Sequence, residues 1–182
     1  EAQAAAGRAA EALHAAQIIP DKLKKAEALA AIADIQVANN EVFRARDTVA
    51  RLLDTVETLD DGLKRISFKT RAAVILAGAG DTDTAAAQLA EAETEARTRE
   101  SKVERGMALR YVATALADME QPDQALSVLS DVAQPSERIP VLMTTATALA
   151  RAGDAAAALS TADTIEAVRY RALVLGRIAL DQ

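Results

Sequence analysis

One skeleton recurs five times along this chain, and it leaves few folds open. A turn residue is followed by Ala five places on, by an aliphatic residue or Ala nine places on, and by another twelve places on. The turn residues are Gly7, Asn40, Gly80, Glu120 and Gly153, spaced 33, 40, 40 and 33 residues apart. Gly7–Ile19 (GRAAEALHAAQII) and Gly153–Ile165 (GDAAAALSTADTI) show the pattern most plainly. Self-similarity at such periods marks stacked helical hairpins, because one hairpin alone cannot bury its apolar face.

Counting back from each turn defines a first helix. Eleven places before stand Leu29, Lys69, Leu109 and Leu142, and eight before stand Ile32, Ala72, Val112 and Thr145. Seven before is always Ala (Ala33, Ala73, Ala113, Ala146), and four before stand Gln36, Leu76, Leu116 and Leu149. Spacings of three and four place these on one helical stripe, and the repeated Ala marks where two helices touch most closely. Counting forward gives a second helix. Its stripe carries Ala12, Ala45, Ala85, Ala125 and Ala158, then Ala16, Val49, Leu89, Leu129 and Ala162, then Ile19, Leu52, Ala92, Val132 and Ile165.

Gly or Asn at the turn suits a left-handed C-cap. Glu120 departs from that rule, with Pro122 and Asp123 supplying turn chemistry. Asp21, Asp61, Ser101 and Ser136 are placed to cap the first helices, and Pro140 falls in an opening turn, where a missing N–H is tolerated. The extra residues of the two longer repeats are polar and helix-prone, which extends their second helices. The expected helices are 1–6, 8–19, 22–38, 41–58, 62–78, 83–97, 101–118, 123–132, 137–151, 155–163 and 166–181.

The period and the G-D-x-x-x-A-L turn at Gly153–Leu159 resemble the tetratricopeptide repeat family, across essentially the whole chain. The usual large aromatics are replaced by Leu, Ile, Val and Ala. The resemblance implies an all-α, right-handed α-α superhelix (solenoid) of about five stacked hairpins, one domain over 1–182. Glu1–Gly7 matches only the end of a first helix and Arg171–Gln182 only the beginning of one, so a piece cut mid-repeat at both ends is expected. Val168, Leu173, Val174, Leu175, Ile178 and Leu180 are too many for one buried stripe, so the last helix is expected to expose an apolar flank suited to self-association.

Composition narrows function. Net charge is −6, pI is about 4.9 and aromatics are 2%, which disfavours nucleic acid, since phosphate contact needs a basic footprint and usually stacking rings. The longest apolar run, Ala72–Gly80, is too short to span a bilayer. With no Cys there is no disulfide or thiolate metal site. The compartment stays open, a bacterial periplasm or envelope and the cytoplasm both being compatible.

The candidate chemistry is thin. His14, the single histidine, lacks a nucleophile and an orienting partner and reads as a surface residue. Asp81-Thr-Asp83-Thr opens like a calcium loop, but Ala85–Ala87 follow where ligands are needed, so it reads as a turn and helix cap. Gly78-Ala-Gly80 follows a helix, not a strand, and makes no phosphate loop. The acidic run Glu91–Glu95 reads as a solvated face. A base stands fifteen places before each turn, at Lys25, Arg65, Arg105 and Arg138, with Arg171 in the final partial repeat. A cation at a helix N-terminus opposes the macrodipole, so acids such as Asp54, Glu57 or Asp131 are expected beside this ladder.

The resemblance implies a concave face lined by positions ten, six and three before each turn. These are Ala30, Asp34 and Val37; Thr70, Val74 and Ala77; Arg110, Thr114 and Ala117; Met143, Thr147 and Ala150. With Met107 and Tyr111 nearby, the expected ligand-binding set is Val74, Met107, Arg110, Tyr111, Thr114, Met143 and Thr147, Arg110 its lone charged anchor. No catalytic residue, metal site or cofactor is expected. The function expected is a non-catalytic scaffold binding another protein or a hydrophobic helix. The rival is a carrier of a lipid or sterol-like molecule in the same groove, in the manner of an envelope lipid-transport component.

Overall fold

The computed structural model describes residues 2–180, with side chains from Ala10 onward. The fold is all-α, with no strand among the described residues. Ten helices are described: α1 (Ala2–Gln17), α2 (Lys22–Ala38), α3 (Val42–Val56), α4 (Gly62–Gly78), α5 (Thr82–Arg97), α6 (Lys102–Asp118), α7 (Pro122–Ser130), α8 (Pro135–Arg151), α9 (Ala155–Asp163) and α10 (Val168–Leu180). The chain divides into two compact units, Glu1–Ala92 and Glu93–Gln182, with the division inside α5. In the first unit α2 packs on α3, α1 and α4. In the second, α6 packs on α7 and α8, and α8 on α9 and α10. The contacts α2 with α4 and α6 with α8 join first helices of successive hairpins.

The turns close in one way. Asn40, Gly80, Glu120 and Gly153 have φ of 59°, 72°, 59° and 85°. The Gly80 N–H donates to Ala77 O (2.9 Å) and the Asp81 N–H to Leu76 O (2.9 Å). Glu120 and Gln121 donate likewise to Ala117 O (3.1 Å) and Leu116 O (2.9 Å). This bond pair satisfies the last helical carbonyls and requires a left-handed residue between them. Glu120 therefore obeys the geometry that its residue type disfavours.

The register is borne out in burial. Ala33, Ala73, Ala113 and Ala146 are all 0% exposed, as are Ala45, Ala85, Ala125 and Ala158 on the second helices. Leu29, Leu52, Leu109, Leu129 and Ile165 complete the cores. The 40-residue repeats carry second helices of 15 and 16 residues (α3 and α5), against 9 each in α7 and α9, so the extra length is helix.

Three expectations fail. Gly7 is not a turn; α1 runs through it. A lone Gly costs a helix about 1 kcal/mol against Ala, too little to break an Ala-rich run. Ala12, expected to be buried, is exposed. Ser136 does not cap α8, which begins one residue earlier with Pro135 at its favoured first position. Pro140 thus lies inside the helix. Asp21, Asp61 and Ser101 cap as expected: Asp61 accepts from Leu63 N (2.9 Å), Asp21 from Lys24 N (3.0 Å) and Ser101 from Glu104 N (3.3 Å).

Candidate functional site

Of the seven expected site residues, Val74 lies half-buried on α4 in the first unit and six lie in the second. Met107, Arg110, Tyr111 and Thr114 stand at i, i+3, i+4 and i+7, so one stripe of α6 carries all four. Met143 and Thr147 are one turn apart on α8, which packs against α6. Thr147 is buried and the others are half-buried.

Arg110 is not a free anchor. Its Nε lies 2.6 Å from Glu137 Oε2, at the first turn of α8, in an ion pair that lacks the alignment of a hydrogen bond. Its guanidinium carbon lies 4.7 Å from the centre of the Tyr111 ring. The carboxylate and the ring face together hold the cation and tie α6 to α8. Glu137 was not among the expected residues, because the pair joins two helices through a long sequence separation and the register offers no sign of it. The expected hydroxyl donors are also engaged. Thr114 Oγ1 donates to Arg110 O (2.8 Å) and Thr147 Oγ1 to Met143 O (2.9 Å). The strip therefore offers thioether, ring and methyl surface, edged by one internal ion pair.

The wider concave set is narrower than expected. Ala30, Thr70, Ala117 and Ala150 are buried by neighbouring helices. In the first unit Asp34 is engaged by Arg71, from α4 back to α2. An added Cβ at Gly78 would meet Val37 Cγ1 at 3.1 Å, so these two first helices meet closely near their C-terminal ends.

Two rungs of the basic ladder, Arg65 and Arg105, reach main chain. Arg65 Nη1 donates to Leu59 O (2.7 Å) and Arg105 Nη1 to Arg99 O (3.1 Å), each six residues back. Those carbonyls follow the C-termini of α3 and α5, the negative ends of helix dipoles, and this offsets the cations' poor position on their own helices. The acids expected beside the ladder meet other bases: Asp131 pairs with Arg97 (2.6 Å) and Glu57 with Lys69 (2.9 Å). The hydrogen bonds that Arg97 donates to Asp131 and Glu93 hold its pKa above the ordinary value. Burial of its carboxyl raises Asp118 above the ordinary 3.8.

Cavities open among the described residues of the second unit. One of about 500 Å³ is lined by Arg138, Ile139, Leu142, Ile165 and Glu166, and none of the expected residues reaches it. One of about 210 Å³ brings Thr147 beside Asp118, Glu120, Arg151 and Arg177. His14 is exposed. Asp81 Oδ1 accepts from Thr84 N (3.4 Å), the weak cap its sequence implied. Among the described residues no group of His, Asp or Glu is arranged to hold a metal, and no helix is long and apolar enough to cross a membrane.

No protein-family model matches the chain, and no curated protein matches it. The crystal structure of Ton1535 from Thermococcus onnurineus NA1 is similar over 97% of this chain, with a TM-score of 0.69 and 21% identity. The chain spans 55% of that structure's length. At that identity the likeness carries the fold alone, and it agrees with a helical solenoid.

Proposed function

We propose that the protein is a non-catalytic binding module whose partner is another protein, engaged by the α6–α8 strip. The observation that carries this reading is Arg110, stacked on Tyr111 and paired with Glu137 beside half-buried Met107 and Met143. Tyr, Met and Arg are the side chains in which protein interfaces are enriched, and an apolar strip with a polar edge suits an amphipathic helix. A partner donating to Glu137 keeps the pair intact, whereas a carboxylate must compete with Glu137 for Arg110. The preferred partner face is therefore apolar with hydrogen-bond donors, not acidic. The apolar flank of α10, with Val168 68%, Leu173 52% and Leu180 87% exposed, offers a second contact surface, and self-association there belongs to the same reading.

The second reading is a carrier of a lipid or sterol-like molecule. Carriers enclose their cargo in largely apolar walls. The cavity beside Thr147 is instead lined by four charged residues. The 500 Å³ cavity, with Ile139, Leu142 and Ile165 in its wall, suits such cargo better. A photo-crosslinking residue in place of Tyr111 separates the readings when combined with native mass spectrometry of the purified protein. A discrete protein adduct, lost when Thr114→Trp is added and absent when the probe stands at Asp83, supports the scaffold. A co-purifying lipid with no adduct overturns it in favour of the carrier.

A further inference from the structure

The buried stripe of the first helices is broken by polar residues at Gln36, Lys69 and Thr145, and the break at Gln36 opens onto a cavity. Four places before the turn, α4, α6 and α8 bury Leu76, Leu116 and Leu149. At that place α2 carries Gln36, 3% exposed. α3 carries Thr48, 0% exposed, at a position where α7 buries Val128. Gln36 Oε1 and Thr48 Oγ1 have no hydrogen-bond partner among the described residues. Unsatisfied buried polar atoms are costly; Leu76, Leu116 and Leu149 avoid that cost at the register of Gln36 and Val128 at that of Thr48, where α9 also buries a Thr, Thr161.

Both residues line a cavity of about 170 Å³, together with Arg44, Asp47 and Arg51 of α3 and Leu13 of α1. Arg44, Thr48 and Arg51 stand at i, i+4 and i+7 on one stripe of α3. Arg44 Nη1 donates to Glu41 Oε2 (2.8 Å). Asp47 and Arg51 have no ion-pair partner among the described residues. Two guanidiniums and the Asp47 carboxylate thus line the cavity, with Glu41 bonded to Arg44 outside it, so charges of both signs are set apart along one wall.

We infer that this cavity binds a small zwitterion, an α-amino acid of the size of glycine, alanine or serine. The carboxylate pairs with Arg51 and the free edge of Arg44. The ammonium is held by Asp47 and Gln36 Oε1, and the Thr48 hydroxyl bonds to either end. At about 30 Å³ per water-sized group, the cavity holds five or six such groups, well below the roughly 300 Å³ of a drug-sized site. The site lies within the first unit and does not depend on the protein-binding reading.

The test is calorimetric titration of the protein with glycine, L-alanine and L-serine, with acetate, ethylamine and inorganic phosphate as half-ligand controls. Saturable binding of at least one amino acid, at least tenfold tighter than any control, is expected. Gln36→Leu and Thr48→Val should each raise the melting temperature of the ligand-free protein yet weaken binding at least tenfold. Arg51→Gln, an exposed change, should weaken binding and leave the ligand-free melting temperature in place. If none of the three amino acids binds at millimolar concentration, the cavity holds only water and the inference falls. Acetate or phosphate binding as tightly as the amino acids makes it an anion site and also overturns it. Undiminished binding by Gln36→Leu places the ligand elsewhere, with the same consequence.

Discussion

The Lys69 ammonium lies 2.6 Å from the Glu91 carboxylate, at a register position where the other three first helices bury Leu. Lys69 is 3% exposed, and Glu57 stands 2.9 Å away on its other side. Burial alone lowers a lysine pKa; the hydrogen bonds and charges of Glu91 and Glu57 outweigh it, and the net shift is upward from 10.5. The stability Lys69 contributes is therefore fully present below pH 10.5 and lost as pH rises through the higher folded-state value. Denaturant melts across that alkaline range should show a steeper loss in wild type than in Lys69→Leu. Glu57→Gln with Glu91→Gln leaves the ammonium buried beside neutral amides and should cost about 1–3 kcal/mol at neutral pH.

Glu120 holds φ of 59° where Gly80 and Gly153 hold 72° and 85°. A left-handed L-residue costs about 1–2 kcal/mol, partly returned by the lower unfolded-state entropy of a non-glycine residue. Glu120→Gly should stabilise the second unit by about 0.5–1 kcal/mol, and Gly153→Ala should destabilise it by a similar amount. Chemical denaturation of both variants reads the two signs, and a loss of stability in Glu120→Gly would contradict the turn argument.

Much of the fold was legible because the register repeats. Ala113 could be assigned to the tight helix–helix contact by comparison with Ala33, Ala73 and Ala146, and all four are fully buried. Gly7 shared the pattern but is followed by Arg8, where Asp81 and Asp154 follow Gly80 and Gly153 and Pro122 closely follows Glu120, and local Ala propensity won. The site was less legible. Met107, Arg110, Tyr111 and Thr114 follow from helical spacing, but the Arg110–Glu137 pair depends on how α8 is set against α6. Periodicity places residues on a face and does not choose partners across helices. Gln36 was visible in the sequence as the odd residue among leucines; that its neighbour would be Thr48 required α3 to be packed against α2.

Ala113 has no room for a larger side chain. Ala113→Leu should destabilise by about 1–3 kcal/mol through overpacking, with no change in helical content at low temperature. Thermal melts indistinguishable from wild type would mean that the α6 register is misplaced.

Pro140 sits six residues into α8, so it withholds an N–H from the Ser136 carbonyl in a helix that otherwise continues unbroken. It is exposed, and its replacement disturbs no core. Pro140→Ala should raise stability by about 1–3 kcal/mol, the interior cost of proline reduced by its place near the helix start. Equilibrium unfolding with unchanged m-value is the measurement, since an altered m-value would point to a change in the denatured state.

The α6–α8 strip makes the functional prediction. If a partner helix lies on Met107, Tyr111 and Met143, the half-buried Thr114 is where bulk obstructs it. Thr114→Trp should abolish the protein adduct formed through a probe at Tyr111 while leaving the circular dichroism spectrum in place. Glu137→Gln should act differently. It releases Arg110 from its internal ion pair, so the strip becomes basic and an acidic peptide should bind better than before, while the native partner, chosen for donors facing Glu137, should bind about 10-fold more weakly, a loss of about 1.4 kcal/mol. Asp83→Asn, at an exposed position on α5, is the control and should change neither. If Asp83→Asn weakens partner binding while Thr114→Trp and Glu137→Gln leave it unchanged, the working surface lies on the second helices and the strip is packing alone.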